Sequence, residues 1–144
     1  MRVMIPLAIA AFAAVPATAS AATQPGLYSG VTSGKYIQVG QAEEPTDKGK
    51  VTFKVRSGKV RDFRVREQLF HCGMAAELRI TVPTIALSAA GKGAATIKID
   101  SVGTLKISIK VTAKGKASGT IVRPASAIGL CNPDYPVRFT AKKR

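Results

Sequence analysis

The sequence predicts an all-β fold, an antiparallel meander of about eight or nine short strands arranged as a β-sandwich or an up-and-down β-barrel, with one disulfide. Three observations carry this. Apolar residues alternate with polar or charged ones over short runs, the period-two signature of strands with one buried face. Clusters of Gly, Ser, Asp and Pro punctuate those runs at short intervals. Beyond the first 22 residues no helical period is sustained over about a dozen positions, and only residues 74–78 hint at one.

Residues 27–32 and 35–41 are expected as two strands folded on each other about Ser33 and Gly34, with Ser29 and Gly30 weakening the first. Residues 42–50 hold Pro45, Gly49 and alternating charges, so they are expected as a loop. The clearest strand covers residues 50–56, where Val51, Phe53 and Val55 share one face and Thr52, Lys54 and Arg56 the other. Ser57 and Gly58 turn the chain into residues 60–70. There Phe63 and Val65 are in phase and Val60 is not, which calls for a bulge near Arg61 and Asp62.

Residues 77–82 alternate again, and Pro83 is expected to stop that strand before a separate apolar piece at 84–88. Residues 96–100 and 104–112 form a hairpin with Ile97, Ile99, Leu105, Ile107, Ile109 and Val111 inward. Residues 117–123 follow, then a loop from 124 to 136, and residues 137–140 close the fold with Val137 and Phe139 inward.

The first 21 residues have a basic residue (Arg2), an apolar run broken by Pro6 and Pro16, and small residues suited to cleavage after Ala19 or Ala21. This is the pattern of a secretory signal peptide, and the run is shorter than the roughly 20 residues of a spanning helix. The expected mature chain is one domain, residues 22–144, secreted to the extracellular side, without a transmembrane segment and monomeric. The formal net charge is +14, which falls to +13 once Arg2 is removed. Such a surface attracts polyanions and repels its own copies.

The two cysteines, Cys72 and Cys131, have only each other as partners within the chain. In an oxidising compartment they are expected to form a disulfide, and closing a loop of about 60 residues removes roughly 4 kcal/mol of denatured-chain entropy. The order Gly26, Tyr28, Gly30, then Cys72, then Gly119-Thr120, Cys131 and the terminal VRFTAKK resembles an uncharacterised small secreted all-β domain common in high-GC Gram-positive bacteria. The resemblance spans nearly all of the mature chain. It implies the fold and the disulfide, and it brings no established activity and no catalytic residue. It departs from that pattern at Phe139, where a Trp is expected.

Chemistry-bearing constellations are sparse. His71 is the one histidine and adjoins Cys72, but neighbours along a strand point to opposite faces and an exported cysteine favours a disulfide over a thiolate. Glu43, Glu44 and Asp47 have no calcium-loop spacing and read as a solvated acidic segment. Asp62, Glu67, Glu77, Asp100 and Asp134 are scattered among basic residues or strand ends, and Ser29, Ser118 and Ser126 lack a nucleophile-elbow context. No enzyme activity, metal or cofactor is therefore expected.

The basic residues are the remaining signal. Lys54, Arg56, Arg64, Arg66, Lys98, Lys106, Lys110 and Arg138 alternate with inward apolar residues and are expected on the wet faces of the sheet as anion-binding candidates. Sheets that read nucleic acid usually add exposed aromatics for base stacking, and Phe53, Phe63 and Phe139 fall on the buried phase. The expected partner is thus an anionic cell-envelope polymer and not a specific nucleic acid. An apolar-ligand carrier with an open barrel interior, or a protease inhibitor presenting the 124–136 loop, are the alternatives.

Overall fold

The computed structural model describes residues 23–33, 35–36, 44–45, 48–71, 74–99, 103–122 and 137–144, with backbone alone for 35–36, 44–45, 68–71 and 74–78. The strands in chain order are β1 (Gly26–Thr32), β2 (Lys35–Tyr36), β3 (Glu44–Pro45), β4 (Lys50–Arg56), β5 (Lys59–His71), β6 (Met74–Ala86), β7 (Lys92–Ile99), β8 (Gly103–Val111), β9 (Lys116–Val122) and β10 (Val137–Lys143). Among the described residues there is no helix.

Eight strands form one antiparallel sheet in the order β6-β5-β4-β1-β10-β9-β8-β7, curled into a nearly closed barrel. The first long strand and the last are paired, Tyr28 opposite Lys143 through Thr32 opposite Phe139. The seam therefore falls between β6 and β7, which are consecutive in the chain. They meet where residues 87–91 turn: the Leu87 amide donates to the Gly58 carbonyl at 2.9 Å and the Ser88 amide to that of Lys92 at 2.7 Å. Both edges carry residues that discourage further strand addition, Pro83 on β6 and the outward Lys92 and Lys98 on β7.

The core follows the alternation. Val51, Phe53 and Val55 of β4, Val60, Phe63 and Val65 of β5, and Leu105, Ile107, Ile109 and Val111 of β8 are all buried. Tyr28, Phe53, Phe63 and Phe139 form a chain of rings through the interior, with successive centroids 5.0, 5.9 and 5.5 Å apart. Such contacts add to area burial by about 0.5–1.5 kcal/mol each. The Tyr28 hydroxyl donates to the Gln24 carbonyl at 2.7 Å, and burial raises its pKa above the usual tyrosine value. Toward the seam the inward Ala95, Ile97 and Ile99 of β7 are only partly buried against this core.

Two backbone features fix the strand register. Ser57 and Gly58 take φ values of 51° and 66°, the pair of left-handed residues that a two-residue type I′ hairpin needs between β4 and β5. The expected bulge is present: the β4–β5 register shifts between Thr52 and Lys54, and Asp62 has φ 50°. Asp tolerates that conformation better than most residues. At β1, Gly30 passes so close to Thr140 and Ala141 of β10 that a Cβ there would meet the Thr140 carbonyl oxygen.

Several expectations are corrected. Residues 27–32 do not fold back on residues 35–41, because both edges of β1 are occupied, one by β4 and the other by β10. Lys35–Tyr36 pairs instead with Glu44–Pro45, inside the segment read as loop. Pro83 does not end its strand: β6 runs unbroken from Met74 to Ala86, since on an edge strand the missing amide costs no ladder bond. Residues 74–78 are strand and not helix, and β7 begins four residues earlier than expected, at Lys92. Cys72, Cys131, residues 37–41 and the whole 124–136 segment lie outside the described residues, as does the leader.

The connections at the two barrel ends differ. Residues 57–58, 87–91 and 112–115 join strands at one end, and at the other lie the described strand ends Thr32, Lys50, His71, Met74, Ile99, Gly103, Val122 and Val137. The connections that carry Cys72 and Cys131 thus leave from the same end.

Candidate functional site

Because the inward phase is apolar, the outward phase of each strand presents its cations. On β4 and β5 the register sets Lys50 opposite Arg66, Lys54 opposite Arg61 and Arg56 opposite Lys59, and β6 adds Arg79 opposite Arg66. All of these side chains are exposed. Like charges directly across a ladder are unfavourable for folding, and Lys54 opposite Arg61 and Arg56 opposite Lys59 are such pairs. Of the carboxylates whose side chains are described, only Asp62 points outward, and it sits 3.9 Å from Lys54 with both groups more than half exposed, 60% for Lys54 and 55% for Asp62. An exposed pair at that distance contributes little to stability.

A second basic face lies on β7 and β8, where Lys92 faces Lys110 and Thr96 faces Lys106. Its cations are all lysines and they alternate with small hydroxyl residues. Ser108 and Thr120 hydrogen-bond across β8 and β9 at 2.7 Å. The structure therefore separates the eight expected anion-binding residues into groups. Lys54, Arg56, Arg64 and Arg66 share the β4–β5 face, and Lys98, Lys106 and Lys110 share the β7–β8 face. The two faces are divided by β1, β10 and β9 on one side and by the seam on the other. Arg138 stands apart from both on β10, opposite Thr120.

The β4–β5 face is concave where the other is regular. The Asp62 bulge interrupts the ladder, and a groove of about 1010 Å³ opens over β1, β4, β5 and β6, touching Leu27, Lys54, Arg56, Arg61, Asp62 and Pro83. A smaller hollow of about 220 Å³ shares Leu27, Lys54 and Asp62 with it and reaches Arg64 and Arg144. Leu27, 53% exposed, forms an apolar patch within this basic surface. Arg144 is held beside it, its amide donating to the Leu27 carbonyl at 2.9 Å and its guanidinium to the Ser29 hydroxyl at 3.0 Å.

Arg61, Arg144 and Leu27 were not among the expected site residues. For Arg61 the signal was available, because a bulge at residues 61–62 turns its side chain outward beside Lys54. For Leu27 and Arg144 it was not, since their proximity depends on the pairing of the two chain termini.

One polar group is turned inward. Glu67 of β5 continues the buried phase of Phe63 and Val65 and is 4% exposed. Burial raises its pKa, and a hydrogen bond with Thr32 partly opposes that rise. The Thr32 hydroxyl also accepts the Gly49 amide at 2.7 Å, while Glu67 Oε2 has no hydrogen-bond partner among the described residues. Among the described residues no three His, Cys, Asp or Glu side chains gather as a metal site, and no helix is long and apolar enough to cross a membrane.

Fold and surface together define a class, a small antiparallel barrel-like β protein with an apolar described interior and cationic outer faces. No family model, no curated protein and no solved structure matches the chain.

Proposed function

We propose that this protein is a secreted, non-enzymatic, monomeric β-domain protein that associates with anionic cell-envelope polymers through its basic outer faces. The observation that carries this reading is the set of cross-strand cation pairs on β4 and β5, Lys54 with Arg61 and Arg56 with Lys59. Surface cations placed opposite one another lower the stability of the fold, and a polyanion offsets that repulsion when it binds. The contacting rings of Tyr28, Phe53, Phe63 and Phe139 inside the barrel favour a surface role over carriage of an apolar ligand there.

In this reading residues 1–21 are a cleaved leader and residues 22–144 the exported domain. Cys72 and Cys131 form its one disulfide, supported by the exit of both connections at one barrel end. The test is retention on isolated cell wall at low and high ionic strength. Exposed charge–charge attraction is screened over a Debye length of about 10 Å at 0.1 M salt and about 3 Å at 1 M, so the protein should elute as salt rises. Retention unaffected by salt would contradict the proposal.

A further inference from the structure

We infer that the groove over β1, β4, β5 and β6 is the binding track, and that its ligand is a phosphodiester-linked polyol, with Asp62 accepting a hydroxyl of the chain. This rests on the polyanion reading and narrows it to one face and one chemistry.

Shape is the first support. The two hollows adjoin, with Leu27, Lys54 and Asp62 in the lining of both, and together they extend over four strands, a length that suits a linear chain. Charge type is the second. Arg56, Arg61, Arg64 and Arg144 line the two hollows alongside a single lysine, Lys54. Guanidinium groups present paired donors that match the oxygens of a phosphate, whereas the β7–β8 face offers only ammonium groups.

Asp62 is the third. An anionic ligand gains nothing from a carboxylate in its path, yet Asp62 stands more than half exposed in the lining of both hollows, at 3.9 Å from Lys54. A carboxylate among cations lowers affinity for any bare polyanion. It repays that loss only to a ligand bearing hydroxyls between its anionic groups, because an ionised carboxylate is an acceptor alone. The backbone does not require Asp for its charge: φ 50° at this position suits Asn as well. Leu27 and Pro83 supply apolar surface for the carbon segments of such a chain. The aromatic core residues Tyr28, Phe53, Phe63 and Phe139 are all buried, which removes them as base-stacking platforms and argues against a nucleic acid.

The experiment measures affinities of the purified full-length secreted protein for poly(glycerol phosphate), for inorganic polyphosphate and for polygalacturonate, at matched charge concentration. The first polymer has phosphates and hydroxyls, the second phosphates only, the third carboxylates and hydroxyls. Joint replacement of Arg61→Ser and Arg64→Ser should weaken binding of poly(glycerol phosphate) by about tenfold or more, and joint Lys98→Ser and Lys106→Ser by less than about threefold. Asp62→Asn should weaken poly(glycerol phosphate) binding by about threefold while strengthening that of polyphosphate. All these side chains are exposed, and unchanged thermal melting verifies that each variant is folded. Equal strengthening of both phosphate polymers by Asp62→Asn, polygalacturonate binding as tight as the polyol phosphate, or equal losses from the two double variants would each overturn the inference and leave the broader polyanion reading standing. Absence of salt-sensitive binding to all three polymers would overturn both.

Discussion

The two basic faces of this barrel arise from the same alternation and differ in nearly everything else. On β7 and β8 the ladder is regular, the cations are lysines, and small hydroxyl residues lie between them. On β4 and β5 a bulge shifts the register, arginines prevail, and a carboxylate stands among them. Alternation alone makes a surface cationic. On β4 and β5 the bulge coincides with a groove, and a groove lets several side chains meet one ligand. In the proposed reading the regular face serves long-range attraction and solubility, and the irregular one contact.

Four changes probe how the two halves differ. The proposed Cys72–Cys131 bond links the β5–β6 hairpin of the arginine half to the β9–β10 connection of the lysine half, so its reduction should lower stability by about 4 kcal/mol in denaturant titrations. Intact mass before and after reduction and alkylation tests the bond itself. The halves are also joined through β1 and β10, where Gly30→Ala places a Cβ against the Thr140 carbonyl. That change should cost about 3 kcal/mol by thermal or chemical unfolding.

Glu67→Gln, at the rim of the arginine half, should stabilise the protein by about 1 kcal/mol near neutral pH, because it removes a carboxylate charge that burial disfavours. The sign with pH follows from burial. The folded chain holds the Glu67 proton more tightly than the unfolded one, so this group's contribution is full below the ordinary value of 4.5 and is lost as pH rises through its folded value. Unfolding curves from about pH 4 to pH 8 should show a flatter dependence in the Gln variant. The smallest effect on folding is expected for the lysine face. Neutralising Lys98, Lys106 and Lys110 together should leave stability within about 0.5 kcal/mol, while reducing the salt slope of polymer binding without altering the preference among polymers.

Much of this fold could be read along the chain. The inward phases of β4 and β8 were evident because each strand keeps a strict two-residue period, and the bulge was evident because Val60 and Phe63 cannot share a face without one. Glu67 was legible by the same rule, two positions after Val65, although its acidic character invited a surface reading. What could not be read was who lies beside whom. The signal at Ser33 and Gly34 is local, whereas the partners of β1 come from residues 50–55 and 139–143, and no local pattern encodes so long a reach. Pro83 misled for a related reason, since its tolerance depends on edge position. The groove was hidden because it needs the bulge, the pairing of the termini and the placement of Arg144 at once.

The most direct measurement is the affinity of the purified protein for poly(glycerol phosphate) as a function of salt, in the parent chain and in the Arg61→Ser, Arg64→Ser variant. The account predicts a linear fall of log affinity with log salt in the parent chain and a slope shallower by about one to two in the variant, as two phosphate contacts are lost. A parent affinity indifferent to salt, or an unchanged slope in the variant, would contradict it.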